Sequence, residues 1–135
     1  YVEPFVNKTA QAEIENFMRT AFIDQIIQNS RFKAVPNIEQ ADAIISGNIL
    51  NLNTKALSYR KSILAAEERM TVTLEAALRE KDSGKILWSS RNVTATVDYE
   101  LQDDMNIIPA DKKRALAKLS RDTAERAFNL MMANF

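Results

Sequence analysis

Met70-Thr71-Val72-Thr73-Leu74-Glu75-Ala76-Ala77-Leu78-Arg79 alternates apolar and polar side chains with the period of a strand that buries one face. Asp82-Ser83-Gly84-Lys85 follows as a turn, with Gly84 supplying the positive φ that a tight turn needs. On the return, Leu87, Val93, Ala95, Val97 and Tyr99 share a parity. Pairing Lys81 with Ile86 sets Leu74 opposite Val93, Val72 opposite Ala95 and Met70 opposite Val97, so the apolar faces coincide. A one-residue slip would turn them apart. The match breaks where Ser89 and Arg91 fall opposite Leu78 and Ala76, and a bulge is the expected cause.

The segments around this hairpin read as its covers and neighbours. Residues 1–6 read as a strand, with Pro4 counting against it because proline cannot donate to a ladder. Asn7-Lys8-Thr9 reads as a turn, with Thr9 as N-cap of a helix over residues 10–29. Ile14, Phe17, Met18, Ala21, Phe22 and Ile26 form that helix's apolar stripe. Ile23 and Ile27 lie off it, which fits either a second covered side or a partner surface.

Residues 31–35 read as a short strand closed by Pro36, and residues 38–42 as a helical turn. Residues 43–52 read as a long strand with Ile45, Gly47, Ile49 and Asn51 on one face. Ile44, Asn48, Leu50 and Leu52 leave its register open. Gly47 within it signals close packing or a bulge. The strand can continue through Leu57 and Tyr59, turn near residues 61–65 and return into Met70. The projecting tip then holds Arg60 and Lys61 beside Ile63 and Leu64.

After Tyr99 comes an acidic loop, then Pro109 and a second helix to about Asn134, with Asp111 as its N-cap. Leu116, Leu119, Thr123, Ala127, Leu130 and Met131 form its stripe, flanked by Phe128. Lys112, Lys113 and Arg114 crowd its first turn, where the macrodipole disfavours cations. The triplet reads as a solvated charge run or as an anion site. The architecture expected is a single domain over residues 1–135, an α/β two-layer sandwich. A mixed sheet of about four strands carries two long helices packed on one face.

The composition narrows the chemistry. The 135-residue chain has 18 basic and 18 acidic residues and no His. The balance argues against a nucleic-acid partner held by bulk charge. With no Cys either, thiol chemistry, imidazole base catalysis and the usual zinc sets are excluded. Two glycines cannot build a phosphate-cradling loop. Glu100, Asp103 and Asp104 match no Ca²⁺-loop spacing and read as solvated. No catalytic residue, metal site or cofactor is expected, and the reading is non-enzymatic. Tyr1 is no initiator residue, so a leader is expected upstream.

Several stretches in order resemble one family. Val2-Glu3-Pro4-Phe5-Val6-Asn7-Lys8-Thr9 is similar to the opening of LptE-type lipopolysaccharide-assembly lipoproteins. So are Ser30-Arg31-Phe32-Lys33-Ala34-Val35, Ala41-Asp42-Ala43-Ile44-Ile45-Ser46-Gly47-Asn48-Ile49, Leu57-Ser58-Tyr59 and Gly84-Lys85-Ile86-Leu87-Trp88. The resemblance implies an acylated Cys upstream of Tyr1 that anchors the domain to the periplasmic face of the outer membrane. It implies a plug in the outer-membrane β-barrel LptD and delivery of lipopolysaccharide to the outer leaflet. It implies lipopolysaccharide contacts at Arg60 and Lys112, with Lys61 and Lys113 beside them. The expected partner interface is Ile63 and Leu64 at the tip, with Ile23 and Ile27 on the first helix. A periplasmic adaptor that binds only protein, through the first helix, is the alternative.

Overall fold

A computed structural model describes residues 1–29, 31–59, 65–102 and 106–135. Strands β1 (Val6–Asn7), β2 (Ala43–Tyr59), β3 (Ala65–Glu80) and β4 (Ile86–Glu100) form one sheet in the order β1-β2-β3-β4. β1 runs parallel to β2, and the other neighbours are antiparallel. Helices α1 (Ile14–Gln28) and α2 (Ile108–Met132) pack against each other on the sheet, completing the expected two-layer sandwich.

The centre of the β3–β4 hairpin has the expected register: Leu74 opposite Val93, Val72 opposite Ala95, Met70 opposite Val97. Leu74, Val72 and Val93 are fully buried. The turn end differs. Arg79, not Lys81, pairs with Ile86, and Glu80 N–H donates to Lys85 O at 2.8 Å. Between Leu74 and Ala76, β4 advances from Val93 to Ser90, so it carries one extra residue there, and another beside Ile86. The first bulge reverses parity, so Trp88 rather than Ser89 opposes Leu78 and enters the core. That is the physical content of the broken match. Gly84 takes φ 72° with its surroundings open, so its role is backbone conformation.

A bulge also resolves β2. Between Ile49 and Asn51 its register shifts by one against β3. Ile45, Gly47 and Ile49 face the core before it, and Leu52 packs against the core after it. Asn51 therefore lies on the outer face, contrary to the expected alternation. Gly47 is a close approach: a Cβ there would lie 3.2 Å from Phe5 Cε1 and 3.0 Å from Glu75 O. Phe5 in turn meets Phe22 edge-on, with ring centroids 4.9 Å apart. The outer face is polar, with Thr71 and Thr96 hydroxyls 3.1 Å apart and Arg69 forked onto Asp98 at 2.7 and 3.0 Å.

The first strand is shorter than expected. Before Val6–Asn7 only an isolated Val2–Ile45 bridge pairs, on either side of Pro4. α1 begins at Ile14 rather than residue 10. Asn7 Oδ1 accepts from Thr9 N–H at 2.8 Å, and Asn7 Nδ2 donates to Gln11 O at 2.7 Å. These local bonds hold the segment in turns and outcompete helix. Glu13 then enters the helix at φ 71°, a left-handed conformation rare outside glycine. Residues 31–35 form no strand; instead Phe32 sits edge-on to Phe128 at 6.1 Å. Residues 38–40 make one 3-10 turn.

α2 starts at Ile108, with Pro109 in its first turn, so Asp111 lies inside the helix rather than capping it. Leu130, expected on its buried stripe, is 45 % exposed. The buried stripe runs instead through Leu116, Leu119, Thr123, Ala127 and Met131, with Ala115, Ser120 and Ala124 as small neighbours. By helical angle Leu130 still falls between Leu119 and Thr123, but it borders an open hollow beside Ala95 and Thr96 of β4. Thr123 Oγ1 returns a 2.6 Å bond to Leu119 O.

Candidate ligand-binding end of the sheet

Antiparallel pairing decides which connections share an end. β2 and β3 end together at Tyr59 and Ala65, and β4 ends with Glu100 opposite Glu67. Leu101 N–H donates to Ala66 O at 2.8 Å. The β2–β3 connection and the β4–α2 connection therefore leave the same end of the sheet. Arg60, Lys61, Ile63 and Leu64 fall outside the described residues, as do Asp103 and Asp104.

At this end the first turn of α2 arrives over the sheet. Lys112 Nζ lies 3.9 Å from Glu68 Oε1. Glu68 also accepts the Tyr99 hydroxyl at 2.9 Å. Burial first, then the Glu68 carboxylate, holds the Tyr99 hydroxyl well above the usual phenol range, so it remains a donor. Lys113 Nζ stands 3.9 Å from Glu13 Oε2, and Arg114 pairs with Asp111. Asp111 is buried and also accepts Gln102 N–H at 3.1 Å, which ties the incoming loop to the helix.

Each cation of the triplet thus faces a carboxylate, which offsets the unfavourable dipole position. The two lysine contacts are long, and the lysine side chains are 46 % and 64 % exposed. Such pairs exchange readily with another anion. The sequence reading did not place Glu68, Tyr99 and Asp111 at this site, having Tyr99 only on the hairpin face and Asp111 only as a cap. For the first two the signal was present, because the Leu74–Val93 register extends to Glu68 opposite Tyr99.

The two isoleucines separate. Ile23 is partly covered, packing against the core beside a 400 Å³ hollow that includes Val2 and Val35. Ile27 is 68 % exposed. A larger hollow, about 550 Å³ between Ile26, Phe32, Ile45, Leu78 and Phe128 and lined also by Arg31, Lys33 and Asp42, lies near the C-terminal residues of both helices, away from Lys112 and Lys113.

A family model described as LptE, lipopolysaccharide assembly, matches residues 1–132. The chain belongs to the LptE family. Solved structures share its fold. Rare lipoprotein B from Shewanella oneidensis aligns with a TM-score of 0.59 at 13% identity, over 96% of this chain and 93% of that one. A minor lipoprotein from Acinetobacter baumannii aligns with a TM-score of 0.59 at 14% identity, over 96% and 90%. A lipoprotein B from Nitrosomonas europaea aligns with a TM-score of 0.53 at 20% identity, over 91% and 77%. No curated protein matches the sequence. Among the described residues, no helix of this LptE-family domain is long and apolar enough to cross a membrane.

Proposed function

We propose that this LptE-family domain binds the anionic head of lipopolysaccharide at the shared end of the sheet. Lys112 and Arg60 make the principal contacts, and Lys113 and Lys61 assist. The domain acts while seated in an outer-membrane β-barrel, LptD, held to the membrane by a lipidated Cys upstream. The observation that carries the reading is the placement of Lys112: half-exposed, loosely paired, and at the end from which the β2–β3 connection also leaves. Phosphates and acidic sugars complement such cations.

Titration with lipopolysaccharide tests the site. Arg60→Glu with Lys112→Glu should abolish binding at low salt while leaving the thermal midpoint close to wild type. Binding by the unaltered chain should weaken with added salt, since exposed charge pairs are screened. Unchanged affinity in the folded double variant refutes the site. The barrel is tested by co-purification, with Ile63 and Leu64 replaced by Ser. Loss of the barrel places the tip in the interface, equal recovery removes it, and no barrel with either chain counts against the partnership. The exposure of Ile27 favours one second reading, a protein-only adaptor docking through α1. Ile27→Asp abolishing partner capture, with no lipopolysaccharide bound by either chain, would establish it.

A further inference from the structure

Building on the reading of Lys112 as a ligand contact, we propose that Glu68 is the site's internal counter-anion. An anionic head must displace this carboxylate from Lys112, and Glu68 thereby sets how tightly the head is held. The sheet register brings the two residues together. Residues 67–74 pair with β4 without interruption, from Glu67 opposite Glu100 to Leu74 opposite Val93. Alternation along that stretch puts Glu68 on the face of Met70 and Val72, under the helices, and Glu67 on the other face. The side chains differ in freedom: Glu68 is 14 % exposed and Lys112 is 46 % exposed. The carboxylate is fixed, and the ammonium is the partner that can move.

Tyr99 makes the exchange cheap. Glu68 Oε1 accepts the Tyr99 hydroxyl at 2.9 Å and faces Lys112 Nζ at 3.9 Å. When Lys112 swings out to an anion, the hydroxyl stays, so Glu68 is not left as a covered charge without a donor. It also stays in place to recapture the lysine when the anion leaves. The other two cations of the triplet lack half of this arrangement. Lys113 faces Glu13, but the Glu13 side chain is 61 % exposed and water screens the pair. Arg114 faces Asp111, which is buried and also holds Gln102 N–H, so that pair anchors the loop and does not open freely. An anion at Lys112 forfeits the attraction to Glu68 and meets its negative charge at short range. Both effects vanish in Glu68→Gln, whose amide oxygen still accepts the Tyr99 hydroxyl.

Two probes, lipopolysaccharide and inorganic pyrophosphate, are titrated by calorimetry at low salt. Glu68→Gln should bind each about fivefold more tightly than the unaltered chain, with the thermal midpoint unchanged. Glu67→Gln makes the same change in net charge from the opposite face of β3, and should shift affinity by less than about twofold. In a Lys112→Gln background the gain from Glu68→Gln should also fall below about twofold, because the pair it relieves is already gone. Glu68→Asp keeps the charge but withdraws it by one methylene, and should gain less than Glu68→Gln. Affinity unchanged or weakened in both Glu68 variants overturns the proposal. So does an equal gain from Glu67→Gln, or the same gain with and without Lys112, since either reduces the effect to net charge. Failure of the lysine site looks different: no chain binds either probe, and site and counter-anion fall together. Pyrophosphate binding that Glu68→Gln strengthens, with lipopolysaccharide unbound, supports the counter-anion and removes the lipid.

Discussion

Gly47→Ala should destabilise the domain by about 1–2 kcal/mol, and Phe5 should carry much of that cost. The added methyl would stand 3.0 Å from Glu75 O and 3.2 Å from Phe5 Cε1, both tighter than ordinary van der Waals contact. Neither neighbour yields freely. The carbonyl belongs to a paired strand, and the ring is braced edge-on by Phe22 at 4.9 Å. Overpacking of this kind costs about 1–3 kcal/mol. Against it stands about 0.4–1 kcal/mol from the reduced freedom of the unfolded chain when glycine is replaced. The difference leaves a net loss. In a Phe5→Ala background the ring contact is gone and only the carbonyl contact remains. The penalty should then shrink, giving a coupling of about 0.5–1 kcal/mol. Urea denaturation followed by circular dichroism measures all four corners of the cycle, provided the m-values agree. A neutral or stabilising Gly47→Ala, or the same penalty in both backgrounds, refutes the close-approach account.

Leu74→Ala should cost about 3 kcal/mol, since Leu74 is fully buried between Ile49 and Val93 and helices above the sheet resist collapse into the cavity; a loss under about 1 kcal/mol in urea would contradict its place at the core centre. Glu13→Gly should stabilise by about 0.5–1 kcal/mol, because left-handed backbone costs a non-glycine residue about 1–2 kcal/mol and added unfolded-state freedom returns part of it; a lowered thermal midpoint would show that Glu13 is held by more than its backbone. Tyr99 has its pKa raised in the folded state, so stability is flat below the ordinary phenol value near 10 and falls as the pH rises beyond it. Tyr99→Phe should flatten that alkaline limb, and in an absorbance titration one of the three tyrosines should resist ionisation until the chain unfolds; all three ionising together in the folded protein would overturn the assignment.

Alternation determined the hairpin by itself. Met70, Val72 and Leu74 can meet Val97, Ala95 and Val93 on one buried face in a single register, and the structure has that register. The two amphipathic stripes likewise determined that two helices cover the sheet, because each has one side to bury. What the local pattern could not hold were features created by distant partners. The bulge in β4 exists because Trp88 has a core position to fill beside Leu78, and the one in β2 because Leu52 does. The helix start moved to Ile14 because Asn7 bonds the segment ahead of it, and Leu130 stays exposed because it borders an open hollow between α2 and β4. The candidate site divides in the same way. Cations at the start of α2 were legible as a charge pattern at odds with the helix dipole. Asp111 beside Arg114 is a neighbour three residues away on one helix, but only the tertiary structure set Glu68 and Glu13 beside the lysines, since charges far apart in sequence act on each other only after folding has brought them within a few ångströms.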